Sequence, residues 1–220
     1  MNTQQPPTVR IAIPATVWVL GFVSLLMDVS SEMIQTLLPF YLVGTLGASV
    51  LAVGFIEGLS VAIATVMKFA SGLIADWSRR NKPLAILGYG LAALSRFIFP
   101  LAVSVDQIVM AKAMDRVGKG IRGTPRDAMI AAVTPPAIRG AAFGLRKSLD
   151  TVGGFIGPLI AIAVMLLLAG DIAMVFWLAA IPAVLAMGML IFGVREPATS
   201  PAAKKTTFRL SEALRLSVWA

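Results

Sequence analysis

The sequence predicts an all-α membrane protein with six transmembrane helices, and three observations support that prediction. Hydrophobic residues make up 58% of the chain and charged residues 14%, with a mean hydropathy of +0.86, which is the composition of a multi-pass membrane protein. Six mostly apolar segments are each about 20 residues or longer, which is the helix length that crosses a bilayer. Basic residues fall in alternate connections between these segments, and this bias orients membrane helices.

The six segments follow one another with short connections. The sixth carries no charge, whereas the fourth is rich in charged residues and is the weakest membrane span of the six. We expect residues 15–194 to form one six-helix bundle. Residues 1–14 would be a cytoplasmic N-terminal tail, and residues 195–220 a cytoplasmic tail or a truncated linker. The segments are residues 15–42, 49–71, 83–103, 107–133, 149–169 and 172–194.

The connections predict which side of the membrane each helix end faces. Residues 43–48, 104–106 and 169–171 contain no Lys or Arg, whereas the other connections and the tails contain twelve, including Arg139, Arg146 and Lys147. Because basic residues stay on the cytoplasmic side, we expect a cell inner (plasma) membrane protein with both termini in the cytoplasm. Without a fourth crossing, the last two helices would invert and the basic tail would lie outside.

The composition also excludes several classes of function. The chain has no cysteine and no histidine, so it has no disulfide, no thiolate or imidazole metal ligand and no Cys- or His-based catalytic group. We therefore expect no metal and no cofactor. The net charge of +8 is typical of a membrane protein with basic cytoplasmic loops. We therefore expect the chain to lie in a lipid bilayer and not to bind nucleic acid.

The fourth segment contains a charged stripe between residues 112 and 128. On a helix its seven charged residues lie within an arc of about 140°. Facing lipid, seven charges would cost about 18–25 kcal/mol, at roughly 2.5–3.5 kcal/mol each. The stripe therefore predicts a wet cavity or a bundle interior, and the alternative is a basic cytoplasmic loop. The charged residues are Lys112, Asp115, Arg116, Lys119, Arg122, Arg126 and Asp127.

Polar residues are distributed unevenly over the other segments. The first carries Asp28 and Glu32 on one face, the second Glu57 and Lys68, the fifth Asp150, and the third only Arg96. Segments one and four are thus expected to line a polar cavity, with two and five beside it and three and six towards lipid. This pattern repeats every three helices, which predicts two inverted three-helix repeats, a transporter architecture.

The charges within the membrane suggest both coupling and binding roles. Asp28 and Glu32 lie one turn apart and repel each other, so one is expected to hold a proton. The excess of basic residues in the fourth segment would attract an anionic solute. The alternative is internal ion pairing, which we favour for Glu57 and Arg96. The predicted substrate or proton-coupling residues are Asp28, Glu32, Arg116, Lys119, Arg122, Arg126 and Asp127.

Glycine and proline occur within the same charged segment. Gly118, Gly120, Gly123 and Pro125 are expected to weaken or interrupt the fourth helix. An interrupted and charged membrane segment indicates a transport site. The alternative is a simple kink or a close contact between helices.

Three motifs together resemble the major facilitator superfamily. The first is GLIADWSRR, residues 72–80, whose Gly72, Asp76 and Arg80 match the loop signature between the second and third helices of that family. Trp77 and Arg79 stand where the family has a basic residue and a second glycine. The resemblance implies a cytoplasmic gate motif at residues 72–80, with Asp76 holding two halves of a transporter together. The gate residues are Gly72, Asp76, Arg79 and Arg80.

The other two motifs lie in later segments. Arg116 followed by Gly120 resembles the fourth-helix motif of the superfamily, and Gly153, Gly157 and Pro158 resemble its fifth-helix Gly-Pro motif, which is often associated with antiporters. The resemblance covers about residues 15–195. It implies twelve helices in two six-helix bundles with a central site. This chain would supply the first bundle and would need a second one, from a missing C-terminal half or a second chain, for transport.

The expected function is therefore a secondary active transporter, with this chain as its N-terminal half, that moves a small polar or anionic solute by alternating access. A proton or ion gradient would drive it, with Asp28 or Glu32 as the carrier of a coupling proton. The alternative is a membrane component that does not transport, such as a fragment, an assembly partner or a sensor. An intramembrane aspartyl enzyme built on Asp28 and Asp115 is a third and weaker hypothesis, and we expect no enzyme.

Overall fold

The described residues form a bundle of six long helices. A computed structural model describes residues 12–78 and 80–195, which contain no strand. A π-helical turn, Tyr41–Thr45, continues the first helix, and short 3-10 turns precede the fourth and fifth helices. The predicted all-α class is confirmed. The helices are α1 (Ala15–Phe40), α2 (Val50–Ser78), α3 (Asn81–Ile98), α4 (Val105–Val133), α5 (Arg139–Leu167) and α6 (Ile172–Gly193).

Five helices of the described part are long and apolar enough to cross a membrane, namely α1, α2, α3, α5 and α6. Helix α4 is too highly charged to belong to that group. Its 29 residues nevertheless extend about 43 Å at 1.5 Å per residue, more than the roughly 30 Å of a hydrocarbon core. Because α4 packs along both α2 and α3, it crosses within the bundle, as a multi-pass membrane protein requires.

The packing of the helices has an internal symmetry. Helix α1 packs mainly against α5 and α6, whereas α4 packs mainly against α2 and α3. Helices α3 and α6 also pack against each other, but α2 barely contacts α3 and α5 barely contacts α6. Exchanging α1–α3 for α4–α6 leaves this pattern unchanged. The pattern therefore agrees with the predicted pair of inverted three-helix repeats.

Glycines allow the closest helix contacts. A Cβ atom at Gly118 in α4 would lie 2.6 Å from the carbonyl oxygen of Gly88 in α3, and one at Gly120 would lie 2.9 Å from that of Ala64 in α2. The predicted interruption of the fourth segment is absent, since α4 is continuous and contains Pro125. Close packing on two neighbours compensates for the weak helix propensity of its glycines.

The fifth helix is longer than the sequence predicted. It starts at Arg139 rather than near Leu149, so Arg146 and Lys147 are helical residues and not part of a cytoplasmic connection. Basic residues lower the local hydropathy and conceal the helix start, although helical geometry continues through them. The predicted tails, residues 1–14 and 195–220, lie outside the described residues apart from 12–14 and 195.

Two apolar clusters hold the bundle together. One surrounds Tyr41, Phe99 and Phe176, with edge-to-face contacts of Phe176 to the other two rings. The other surrounds Met27 and Tyr89. Both clusters contain residues of α1, α4, α5 and α6.

Candidate functional site

A cavity of about 1070 Å³ lies among α1, α2, α4 and α5. Helices α3 and α6 contribute no residue to its lining, which agrees with the polarity pattern of the sequence. Seven basic and four acidic side chains line it, so positive charge is in excess. These side chains are Asp28, Glu32, Lys68, Arg116, Lys119, Arg122, Arg126, Asp127, Arg146, Lys147 and Asp150.

Every residue of the predicted substrate or proton-coupling set lines this cavity. The set comprises two residues of α1 and five of α4, and the helices bring them to one space although more than 80 residues separate the two groups in sequence. The structure therefore brings the predicted residues together. Their roles in binding and coupling stay predictions.

The two acidic residues of α1 have different surroundings. Asp28 Oδ1 lies 3.4 Å from Arg122 Nη2, so this carboxylate belongs to an ion pair. Glu32 has no basic group within 4.0 Å in the described part of the chain, although it interacts electrostatically with Lys119 and Arg116. Of the two acids, Glu32 is the one that faces the cavity without an ion-pair partner.

Arg122 contacts side chains of two other helices. Beside its contact with Asp28, its guanidinium carbon lies 4.8 Å from the centre of the Tyr89 ring, a cation–π distance. Its Nη1 atom is buried and has no hydrogen-bond partner in the part of the chain that the structure describes. Arg122 thus connects α1, α3 and α4 at the cavity wall and retains one donor without an acceptor.

The stripe of α4 faces the cavity only in part. Lys112 and Asp115 are buried and do not line it. Lys112 forms an ion pair with Glu57 of α2, and Asp115 forms one with Arg96 of α3 at 2.7 Å. The internal ion pairs predicted for Glu57 and Arg96 are therefore both present. An arc of about 140° is wide enough to meet both a cavity and two neighbouring helices.

Arg96 is the centre of a buried polar network. It donates to Ser30 and Ser31 of α1 as well as to Asp115. Ser30 in turn donates to the carbonyl oxygen of Ala179 in α6 at 2.7 Å. The network therefore joins four helices directly behind the cavity wall, where a buried charge needs such partners.

Arg116 lies beside this network and faces the cavity. Its Nε atom is 3.7 Å from Asp115 Oδ2, and this atom is buried with no hydrogen-bond partner from the described ranges 12–78 and 80–195. Asp115 is therefore shared by two guanidinium groups, of which Arg96 is the closer.

A chain of ion pairs crosses the cavity between α4 and α5. Arg126 Nε lies 3.1 Å from Asp127, Arg146 Nε lies 3.7 Å from Asp127, and Arg146 Nη1 lies 2.8 Å from Asp150. The two helices have few direct contacts, so these side chains provide much of their connection. Arg126 Nη1 also donates to Ser24 of α1 at 2.9 Å.

Four charged cavity residues were missing from the predicted set, namely Lys68, Arg146, Lys147 and Asp150. A signal for two of them was present, because Arg146 and Asp150 have the i, i+4 spacing of a helical ion pair. Recognising it required the correct start of α5. Lys68 is one of few charged residues in α2, which was a second signal.

The residues of the family motifs have distinct positions. Gly72 lines the cavity, Asp76 is part of α2, and Arg80 is exposed immediately before α3. Arg79 lies outside the described residues, so the gate role of this motif stays a prediction.

The glycines of the fifth-helix motif lie at the contact between α1 and α5. Cβ atoms at Gly153 and Gly157 would lie 2.6 Å from the carbonyl oxygen of Leu25 and 2.7 Å from the Cβ of Glu32, respectively. Pro158 is inside α5. The motif therefore permits the close approach of α5 to the acidic face of α1.

Comparison of the sequence with known proteins identifies relatives. A sequence profile of the Major Facilitator Superfamily matches residues 20–219. An uncharacterized MFS-type transporter of Methanocaldococcus jannaschii is 33% identical over 194 residues, which cover 88% of this chain and 48% of the relative. A multidrug resistance protein of Photorhabdus laumondii is 31% identical over 139 residues, covering 63% of this chain and 34% of that protein. The chain thus spans half or less of the length of these relatives.

Solved structures show the same fold. A POT family transporter in complex with 5-aminolevulinic acid has a TM-score of 0.74 at 20% identity, with 93% of this chain and 45% of that chain covered. The human organic anion transporter MFSD10 has a TM-score of 0.69 at 18% identity, with 90% and 50% covered. The six-helix bundle, the charged cavity and the sequence relationship agree, and this chain belongs to the major facilitator superfamily of membrane transporters.

Proposed function

We propose that this chain forms one six-helix bundle of a secondary active transporter that moves a small polar or anionic solute by alternating access. The observation that carries the proposal is the cavity among α1, α2, α4 and α5, with its excess of basic side chains. A net positive cavity concentrates small anions. Its lining also contains apolar side chains such as Val61 and Phe69, which suit an organic solute.

A second six-helix bundle would complete the site. The large apolar side chains of α2 and α5 beside the cavity are exposed, for example Phe69 and Phe155, at 76% and 69%. In transporters built from repeats, one bundle rocks against another around a fixed site. The second bundle would come from the C-terminal half of a longer protein or from a second chain, in line with the half-length match to the relatives.

Protons are the proposed driving ion, and Glu32 is the proposed carrier. Its carboxylate lines the cavity, has no ion-pair partner among the residues described by the structure, and interacts electrostatically with Lys119 and Arg116. An ionised Glu32 competes with a bound anion for these cations, whereas a protonated Glu32 does not. Anion binding and protonation would therefore favour each other. Asp28, which is paired with Arg122, would serve mainly to orient that residue.

The proposed setting is the inner (plasma) membrane with both termini in the cytoplasm. An even number of crossings puts both ends of the bundle on one side, and the basic residues of the tails favour the cytoplasm. We propose transport rather than catalysis, since Asp28 and Asp115, the pair considered for an aspartyl site, are engaged with Arg122 and Arg96.

The test is proton-coupled uptake into vesicles. The transporter that contains this chain is reconstituted with a pH dye inside, and potassium phosphate, succinate or lactate is added under an inward proton gradient. We expect at least one anion to cause acidification of the lumen, and Glu32→Gln to abolish it. An unchanged response in Glu32→Gln contradicts the proton role, and no response to any anion contradicts anion transport.

Asp106→Asn is the matched control. Asp106 is an exposed acid in the first turn of α4 and does not line the cavity. Because this substitution removes the same charge at a distant position, it should leave the acidification unchanged.

A further inference from the structure

We propose that the wall between α2 and α4 contains a subsite for a phosphoryl dianion, formed by Arg116, Lys119 and Lys68. The inference rests on the proposed transport function, since it assigns a substrate class to the same cavity. Lys68 is outside the set of residues that the sequence indicated.

Ion pairing leaves only some of the cavity cations available. Arg122 is engaged with Asp28, while Arg126 and Arg146 are engaged with Asp127 and Asp150. These contacts neutralise the part of the cavity that lies between α4, α5 and the middle of α1. In the described residues, Lys68, Lys119 and Lys147 have no carboxylate within 4.0 Å. The excess positive charge is therefore concentrated on these lysines and on Arg116.

Arg116 keeps its positive charge although Asp115 is adjacent. The charge of Asp115 is taken up mainly by Arg96, at 2.7 Å and almost fully buried, whereas Arg116 is 3.7 Å away. Two guanidinium groups on one carboxylate leave one positive charge. The Nε of Arg116 is buried, has no acceptor among the described residues and belongs to a side chain that is 11% exposed at the cavity wall. Buried donors are nearly always satisfied in proteins, so an acceptor is expected to come from the cavity.

The three cations originate at one helix crossing. Arg116 and Lys119 are separated by three residues on α4, which puts them on the same face one turn apart. Lys68 comes from α2 where the two backbones meet, since a Cβ at Gly120 would lie 3.0 Å from the backbone nitrogen of Lys68. Lys119 is the neighbour of Gly120. All three side chains line the cavity beside this contact.

This arrangement suits a compact dianion. Arginine binds phosphate through parallel hydrogen bonds, and lysine binds it as a point charge. With Glu32 protonated, as in the proposed coupling, a single carboxylate would balance one of the three charges and leave two, whereas a phosphoryl group at neutral pH carries up to two negative charges. The phosphoryl group would belong either to inorganic phosphate or to a small phosphate monoester. The adjacent Phe69 and Val61 would contact the organic part of a monoester.

The test is equilibrium binding to the 220-residue chain in lipid nanodiscs. Isothermal titration calorimetry is performed with inorganic phosphate, with glycerol 3-phosphate and with acetate as a monoanion reference, at one fixed ionic strength. We expect both phosphate compounds, or one of them, to bind, and acetate not to bind. Tighter binding of glycerol 3-phosphate identifies a monoester site, and tighter binding of phosphate identifies an inorganic phosphate site.

Single variants locate the subsite. Lys68→Gln and Lys119→Gln should each weaken binding about tenfold, the value expected for one charge-assisted hydrogen bond. Lys147→Gln is the matched control, because Lys147 lines the same cavity from α5 and forms no ion pair within residues 12–78 and 80–195. It should change the affinity by less than a factor of about two, since it lies at a different wall.

Arg116→Lys keeps the charge at the remaining position and removes the fork of donors, so it should weaken phosphate binding while the helical circular dichroism stays unchanged. If Arg116→Lys does not fold, the two lysine variants still decide the question.

Several outcomes would overturn the subsite. These are equal loss in Lys147→Gln and the two other lysine variants, equal binding of acetate, or no phosphate binding by the unsubstituted chain. Its failure is separable from that of the proposed function. Phosphate binding without uptake contradicts transport and leaves the subsite intact, whereas proton-coupled uptake of lactate without phosphate binding contradicts the subsite alone.

Discussion

Arg96 and Asp115 form an ion pair that is shielded from the cavity, with Nη2 and Oδ1 2.7 Å apart and side chains that are 1% and 4% exposed. The pair joins α3 to α4, and two serines of α1 complete the coordination of the guanidinium. Both charges are buried and have few other partners, so each charge depends on the other for its stabilisation. The ion pair also affects the charge of the cavity, because Asp115 is paired with Arg96 and would otherwise neutralise Arg116.

Removing one partner of this pair should be strongly destabilising. We expect Arg96→Met to lower the free energy of unfolding by about 3–5 kcal/mol, because Asp115 is then a buried charge without its main partner. The measurement is denaturant unfolding of the purified chain in detergent. The double variant Arg96→Met with Asp115→Leu should recover much of the loss. Equal stability of the single and double variants would show that the ion pair is not the cause.

A methyl group at the α1–α5 contact should separate the two helices. Gly153→Ala would put a Cβ atom 2.6 Å from the carbonyl oxygen of Leu25, so we expect a loss of about 1–3 kcal/mol through overpacking. Gly154→Ala is the control, because a Cβ at Gly154 meets nothing within 4 Å. It should be neutral or stabilising. Thermal unfolding in detergent compares the two, and equal midpoints would contradict the proposed contact.

The absence of cysteine makes the wetting of the cavity directly measurable. Gly123→Cys introduces a thiol on the cavity wall, where nothing lies within 4 Å of the new Cβ, and we expect fast reaction with a charged thiosulfonate reagent. Ile181→Cys, on the exposed apolar face of α6, should stay unreacted in the bilayer because thiolate formation needs water. Protection of the Gly123→Cys thiol would contradict a wet cavity.

The ion pairs between α4 and α5 should show energetic coupling. A double-mutant cycle of Asp127→Asn and Arg146→Gln is expected to give about 0.5–3 kcal/mol, the range for residues in one network. The comparison cycle uses Asp127→Asn and Lys147→Gln, since Lys147 is the neighbour of Arg146 but forms no ion pair among the described residues. That cycle should give a value near zero. Equal coupling in both cycles would indicate a general charge effect.

The membrane spans and the polar face could be predicted from the sequence because both follow from local patterns. Apolar length alone gives a membrane span, and the helical period alone puts Asp28 and Glu32 on one face. The start of α5 could not be found in this way. Arg139, Arg146 and Lys147 interrupt the apolar run, and the ion pair of Arg146 with Asp127 of α4 is a tertiary contact that a local pattern does not show.

The sequence also could not predict which charged residues of the α4 stripe line the cavity and which are buried in ion pairs. Lys112 and Lys119 have the same residue type on the same helix, yet one is buried against Glu57 and the other lines the cavity. The difference depends on which acids the neighbouring helices present at each level, and that is a property of tertiary packing. Hydropathy carries no information about it.

The symmetric packing has a consequence for how the protein is made. Helix α1 is synthesised before its main partners, α5 and α6, which come later in the chain. Until they arrive, the polar side of α1, with Asp28 and Glu32, has no completed bundle to face. A nascent chain that ends before α5 must keep this surface away from acyl chains by staying at the insertion machinery or by contact with an insertase. We therefore expect the insertion machinery to release this chain slowly. We also expect its membrane insertion to be sensitive to loss of such an insertase.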